Sequence, residues 1–187
     1  MKAVTVALLM LCLYSLASGQ KPVRPEAAKH FRNANRFAER YDKFHDRTIV
    51  TVGPFVMSGG TELFMTNRMF YMLAGFSYQG QKLEHAPDQF VLGFSVEGGE
   101  RFTFLKDQEV IVLADGERFQ LGNADRDSDF YFSSVKESLL VSVPKDTFEK
   151  IGKAKSVEIK VGPKVFKLKD EHLEAFRDLA SLAEPKT

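Results

Sequence analysis

The sequence predicts an α+β protein: an antiparallel sheet folded on itself, sandwich- or barrel-like, with N- and C-terminal helices packed against it. Three observations predict this. Runs rich in β-branched and aromatic residues follow one another from residue 48 to residue 169. Gly, Pro and Asp-Gly separate them at intervals too short for the crossovers that parallel strands need. The stretches flanking these runs place apolar residues three and four apart, the spacing of one helical face.

The elements follow in chain order. Residues 1–19 read as a secretory leader. Lys2 supplies the positive start, 4–16 is mainly apolar, and Ala17, Ser18 and Gly19 are the small residues of a cleavage site, with the cut expected near Gly19/Gln20. The apolar run is too short to span a bilayer comfortably. Cys12 lies inside it after bulky Met10 and Leu11, unlike a lipid-attachment site. Residues 20–47 read as a basic N-terminal helix or linker. Ala28, Phe31, Ala34, Phe37, Ala38 and Tyr41 share one helical face, and 21–47 holds eight basic and four acidic residues. Such a helix, over 25–43, either covers the sheet with its apolar face or meets a membrane surface or an acidic partner.

A single β-rich domain is expected over 48–187. "TIVTV" (48–52) is a strand, and 62–78, apolar on both alternations, is a strand covered on both faces. The stretch 88–99 pairs with it, and "RFTFL" (101–105) alternates cleanly. In 109–122, Asp115-Gly116 marks a tight hairpin turn where positive φ is needed. "SDFYFSSV" and "SLLVSV" continue the strands. Pro144 opens a short helix with Phe148 and Ile151 inward, and 156–169 is a hairpin turning at Gly162-Pro163. Asp170 caps a last helix whose apolar stripe is Leu173, Phe176, Leu179, Ala180 and Leu182.

Composition narrows the function. Of 187 residues, 26 are Lys or Arg and 25 Asp or Glu. With Lys2 set aside the two are equal, which argues against a nucleic-acid binder. Residues 20–187 contain no cysteine, so thiol catalysis, thiolate-bound zinc and disulfides are excluded there. Seventeen Phe supply the apolar surface that an unstapled domain must bury.

The repeated "GFSYQG" (75–80) and "GFSVEG" (93–98) raise the question of a catalytic serine. A nucleophile elbow needs Gly-x-Ser-x-Gly before a helix. Gln79 and Glu97 stand where the second Gly belongs, and no helix follows. Ser77 and Ser95 are instead expected in neighbouring strands, with aromatics stacked and hydroxyls paired across the sheet. His30, His45, His85 and His172 show no metal-ligand spacing; His45-Asp46 and His85 are the ones that a spatial site could use. Asp125, Asp127 and Asp129 alternate as an EF-hand loop begins, but Phe130 and Lys136 occupy the positions of its Gly and Glu, so a solvated loop is expected. Met57, Met65, Met69 and Met72 could offer thioethers to Cu(I), though Met commonly fills gaps in cores.

At "YDKFHD" (41–46), "LADGER" (113–118) and 155–181 the chain resembles a group of uncharacterised exported bacterial proteins, which implies an exported origin and no particular chemistry. The function expected is an exported, non-enzymatic binding or interaction module, with Phe70, Tyr71, Phe76 and Tyr78 as ligand-facing candidates and no cofactor. The alternatives are an extracytoplasmic hydrolase with a site assembled from scattered Asp, His and Ser, and a membrane-surface protein using 25–43.

Overall fold

The computed structural model describes residues 22–57, 68–98, 102–131 and 134–185; the expected leader lies outside them. The strands are β1 (Phe37–Asp42), β2 (Arg47–Val56), β3 (Met69–Gln79), β4 (Gln89–Glu97), β5 (Glu109–Ala114), β6 (Glu117–Asn123), β7 (Asp125–Tyr131), β8 (Ser134–Pro144), β9 (Val157–Val161) and β10 (Lys164–Lys167). Helix α1 (Lys145–Lys153) precedes β9, and α2 (Asp170–Leu182) follows β10. All the strand pairs are antiparallel. One sheet runs β1–β2–β3–β4–β8–β7 and the other β10–β9–β5–β6. Among the described residues no ladder joins the two sheets, so the barrel is not closed.

Alternation explains which face is apolar. On β3 the even positions Phe70, Met72, Ala74 and Phe76 are buried, and their partners on β4 and β8 are Val96, Phe94, Leu92, Leu139 and Val141. The helices meet this face. A chain of rings runs from Phe76 to Phe90 (centroids 5.6 Å apart), on to Phe148 of α1 (4.1 Å, planes 4° apart) and then to Phe176 of α2 (5.0 Å). Each fully buried Phe contributes roughly 1.5–3 kcal/mol by leaving water.

The Asp-Gly turn forms as its chemistry requires: Asp115 has φ 49° and Gly116 φ 87°. Asp115 also accepts hydrogen bonds from the N–H groups of Lys155 and Ser156 (3.0 and 2.8 Å), which tie the β5–β6 hairpin to the start of β9.

Three expectations are corrected. The stretch 25–43 is not one helix. It forms two short 3-10 turns (Glu26–His30 and Ala34–Arg36), and 37–42 becomes the first strand. Pairing with β2, Phe37 against Val52 and Tyr41 against Thr48, outweighs the weak helical preference of a segment with Asn33 and Asn35 at its centre. The apolar residues still face inward, with Ala28 and Phe37 buried and the Phe31 and Phe37 rings 5.4 Å apart. Of residues 123–129, expected as a solvated loop, those from Asp125 onward already belong to an edge strand that runs to Tyr131 and pairs with β8. The alternating stretch 102–105 is not a strand, because its N–H groups have another partner.

That partner is Glu137, fully buried on β8. Its carboxylate accepts from the backbone N–H of Thr103, from that of Phe104 at 3.1 Å and from Arg126 Nε at 3.0 Å. The Arg126 guanidinium lies over the Phe102 ring, 5.0 Å from its centroid. The crossing segment between the two sheets is thereby fastened to the larger one at β8, the strand next to its β7 edge. Glu137→Ala is expected to lower stability by roughly 3–5 kcal/mol, because it leaves Arg126 and two amides facing a void. Glu137→Gln should cost less. Urea midpoints for the two variants measure this.

Candidate functional site

The four aromatic candidates separate by strand parity and position. Phe70 and Phe76 are core residues, not ligand-facing ones. Phe70 packs against Phe104 (6.1 Å) and Phe166 (5.5 Å), and Phe76 starts the ring chain to the helices. Tyr78 is half-buried at the rim, stacked on Phe76 (6.2 Å) with its hydroxyl 3.4 Å from Glu39. Tyr71, one step out of phase, faces the other side of the sheet and lines a hollow of about 350 Å³ there.

A larger groove, about 740 Å³, opens beside β8. Its origin is a strand that changes sheets. The chain from 117 to 131 pairs first with β5 and then, past Ala124, with β8. Gly122, at φ 91°, and a register shift in the β5–β6 ladder turn the corner. Ala124 N–H is held there by the carbonyl of Gln108 at 2.9 Å. The β7–β8 ladder begins at Asp125↔Leu140, so beyond Leu140 no described strand pairs with that edge of β8. A V-shaped groove results, with Asn123 and Leu140 at its apex.

Both arms of the V are strand edges. Leu140 and Val141 point to opposite faces of their sheet yet both line the groove, and so do consecutive residues 118–121 of β6. The phase of the β4–β8 ladder is set by Lys145 N–H bonding Asp88 O and Gly98 N–H bonding Val135 O. Val141 and Val143 therefore bond to β4, and Ser142 turns its backbone N–H and C=O into the groove. Gln89 and Thr147 close the sides, and among the described lining residues Arg118 and Asp125 are the charged ones.

The other sequence candidates are dispersed. Ser77 lies opposite Ile49 and Ser95 opposite Tyr71, so the two hydroxyls do not pair across the sheet as expected. In the β3–β4 register Ser95 meets Tyr71, whereas Ser77 lies past the last pair, Gly75↔Val91. Among the described residues neither serine bonds an imidazole. His45 is held in the β1–β2 turn, its Nδ1 2.8 Å from Asp42. Its neighbour Asp46 takes the Tyr41 hydroxyl at 2.7 Å. Asp125, Asp127 and Asp129 share one face of an edge strand, and among the described residues no cluster of three or more acid, His or Cys groups could hold a metal. Met57 and Met72 are buried, Met69 is exposed, and Met65 lies outside the described residues.

The basic residues of the N-terminal stretch engage the protein itself. Arg32 reaches Glu174 (3.5 Å), while Arg36 donates to the Pro54 carbonyl (2.9 Å) and lies over the Phe55 ring. Among the described residues no helix is long and apolar enough to cross a membrane. Comparison with known proteins gives no matching family model, no significantly similar curated protein and no similar solved structure.

His172 has a structural role that its sequence context hid. Lys169, not Asp170, precedes the first turn of α2, and its N–H donates to His172 Nδ1 at 3.2 Å. The ring packs on Phe55, 4.9 Å between centroids. Burial holds the imidazole below its ordinary 6.5; Glu171 opposes this, and Lys169 and Arg36 reinforce it. An unfolded chain takes up this proton near pH 6.5 and the folded one only at lower pH. The stabilisation is therefore complete above 6.5 and falls as pH drops below it. Thermal midpoints should decline from neutral to mildly acidic pH in the native protein and decline less in His172→Gln, which keeps an acceptor for Lys169.

Proposed function

We propose that the protein is an exported, non-enzymatic binding module that takes an extended polypeptide segment into the groove between β6 and β8. On this reading the two sheets form a sandwich-like shell left open along one side. The supporting observation is the pair of strand edges that diverge from Ala124, one of them offering the N–H and C=O of Ser142 to the opening. Free edges are templates for another strand. A segment laid against one gains main-chain hydrogen bonds, while pockets for alternate side chains select its sequence.

The walls suit such a guest. Phe119, Leu121 and Leu140 offer apolar contact, and Gln120, Asn123 and Thr147 offer neutral hydrogen bonding. Arg118 and Asp125 balance one another in charge, which favours a peptide without strong net charge. Export rests on the leader pattern.

Random peptides displayed on phage and selected on residues 20–187 test this. Selected sequences should alternate apolar and polar positions. Their affinity should fall at least about tenfold, about 1.4 kcal/mol, in Ser142→Pro, which deletes the edge donor, and in Gln120→Trp, which fills the groove from an exposed position. Peptides that bind both variants as well as the parent, or no selected peptide at all, would overturn the reading.

A further inference from the structure

The outer face of the six-stranded sheet carries a second hollow with a different chemistry. Register lays its residues in rows. The middle row crosses Tyr71, Ser95, Ser138 and Asp127 on four adjacent strands. One flanking row is Leu73, Gly93 and Leu140; the other is Glu97 and Lys136. Gly93 leaves space that the leucines lean into, since a Cβ there would stand 2.9 Å from Leu140 Cδ2 and 3.0 Å from Leu73 Cδ1. On the opposite side Lys136 Nζ meets Glu97 Oε1 at 2.7 Å. Between these walls lies the space of about 350 Å³, near the lower end of the roughly 300–1,000 Å³ typical of small-molecule sites.

Ser138, which lines this space, is the unusual member. It is fully buried, and among the described residues its Oγ has no hydrogen-bond partner. Buried hydroxyls in folded proteins are nearly always satisfied, and one left alone weakens the fold that carries it. Its place in the row, between Ser95 and Asp127, aligns it with a second hydroxyl and, one strand further, with a phenol.

We infer that this hollow binds a neutral, hydroxyl-rich small molecule of the saccharide class. Hydroxyl groups both donate and accept, so Ser95 and Tyr71 can each exchange both kinds of hydrogen bond with a polyol, and Ser138, closed to water in the free protein, joins them when a ligand parts the wall of the hollow. The Lys136–Glu97 pair supplies a charged donor and a charged acceptor side by side, a match for neighbouring sugar hydroxyls. Because the two charges neutralise each other, the site offers an ionic ligand no net attraction. Tyr71, Leu73 and Pro54 add the apolar surface on which the C–H face of a pyranose can rest. The site shares no residue with the edges of the β6–β8 groove except Leu140, and it stands or falls independently of the peptide reading.

Isotope-labelled protein titrated with glucose, galactose, maltose and cellobiose, with glucuronate as the charged comparison, tests the inference. At least one neutral sugar should move the backbone resonances of Gly93, Ser95 and Ser138 in a saturable way at millimolar concentration. Affinity should fall about tenfold or more in Ser138→Ala and in Tyr71→Phe. Ser138→Ala should meanwhile leave the thermal midpoint unchanged or raised, since it deletes a group without a bond among the described residues. The inference is overturned if no neutral sugar moves these resonances, if only glucuronate does, if the response survives both variants, or if Ser138→Ala lowers the midpoint, which would mean the hydroxyl is already satisfied within the protein.

Discussion

A carboxylate without water must find hydrogen-bond donors, and Glu137 finds three at the place where the chain leaves one sheet for the other. Its position on β8 puts it on the same face as Leu139 and Val141, among apolar side chains. The amides of Thr103 and Phe104 are drawn to it, and that contact denies residues 102–105 a strand ladder. Phe104, drawn in with them, lands on Phe70, which in turn touches Phe166 of the smaller sheet. One buried side chain thus fixes the path of the crossing segment, and the crossing segment fixes how one end of the core is filled.

The other end is filled by the helices, through the stack that runs from Phe76 by way of Phe90 and Phe148 to Phe176. Between the two ends the sheets diverge, because a single continuous stretch serves both. Gly122 permits the corner, and Ala124 is pinned at it by Gln108. The groove is the geometric remainder of that divergence. The Tyr71 hollow lies on the outer face of the larger sheet, between the leucines that fill the space over Gly93 and the Lys136–Glu97 pair.

Much of the fold was legible in residue order. Asp115-Gly116, the Gly162-Pro163 hairpin, the short helix after Pro144 and the two Gly-Phe-Ser strands each carry a local signal that the tertiary structure obeys. Where reading failed, a distant partner outbid the local pattern. Phe37 and Tyr41 stand a helical step of four apart, yet they pair with β2. Thr103 and Phe104 alternate as a strand does, yet a carboxylate over thirty residues away takes their amides. Asp125, Asp127 and Asp129 look like a loop, and an edge strand tolerates them because one of its faces meets solvent. The candidate site was legible only in Tyr71. A list of aromatics cannot say which ones a strand's parity turns outward, and an orphan hydroxyl such as that of Ser138 becomes visible only when its neighbours are in place. Nothing local in the sequence marks where one stretch will pass between two sheets.

The order in which the sheets are completed has a consequence for synthesis. The smaller sheet takes β5 and β6, loses the chain to β7 and β8 of the larger sheet, and recovers it only for β9 and β10. Phe148, Ile151, Leu173 and Phe176, which close the core over Phe76 and Phe90, come from the last fifth or so of the chain. A polypeptide emerging from the ribosome therefore holds an uncovered apolar face until its final helix is free. Such a chain seals its core with the last element to be made.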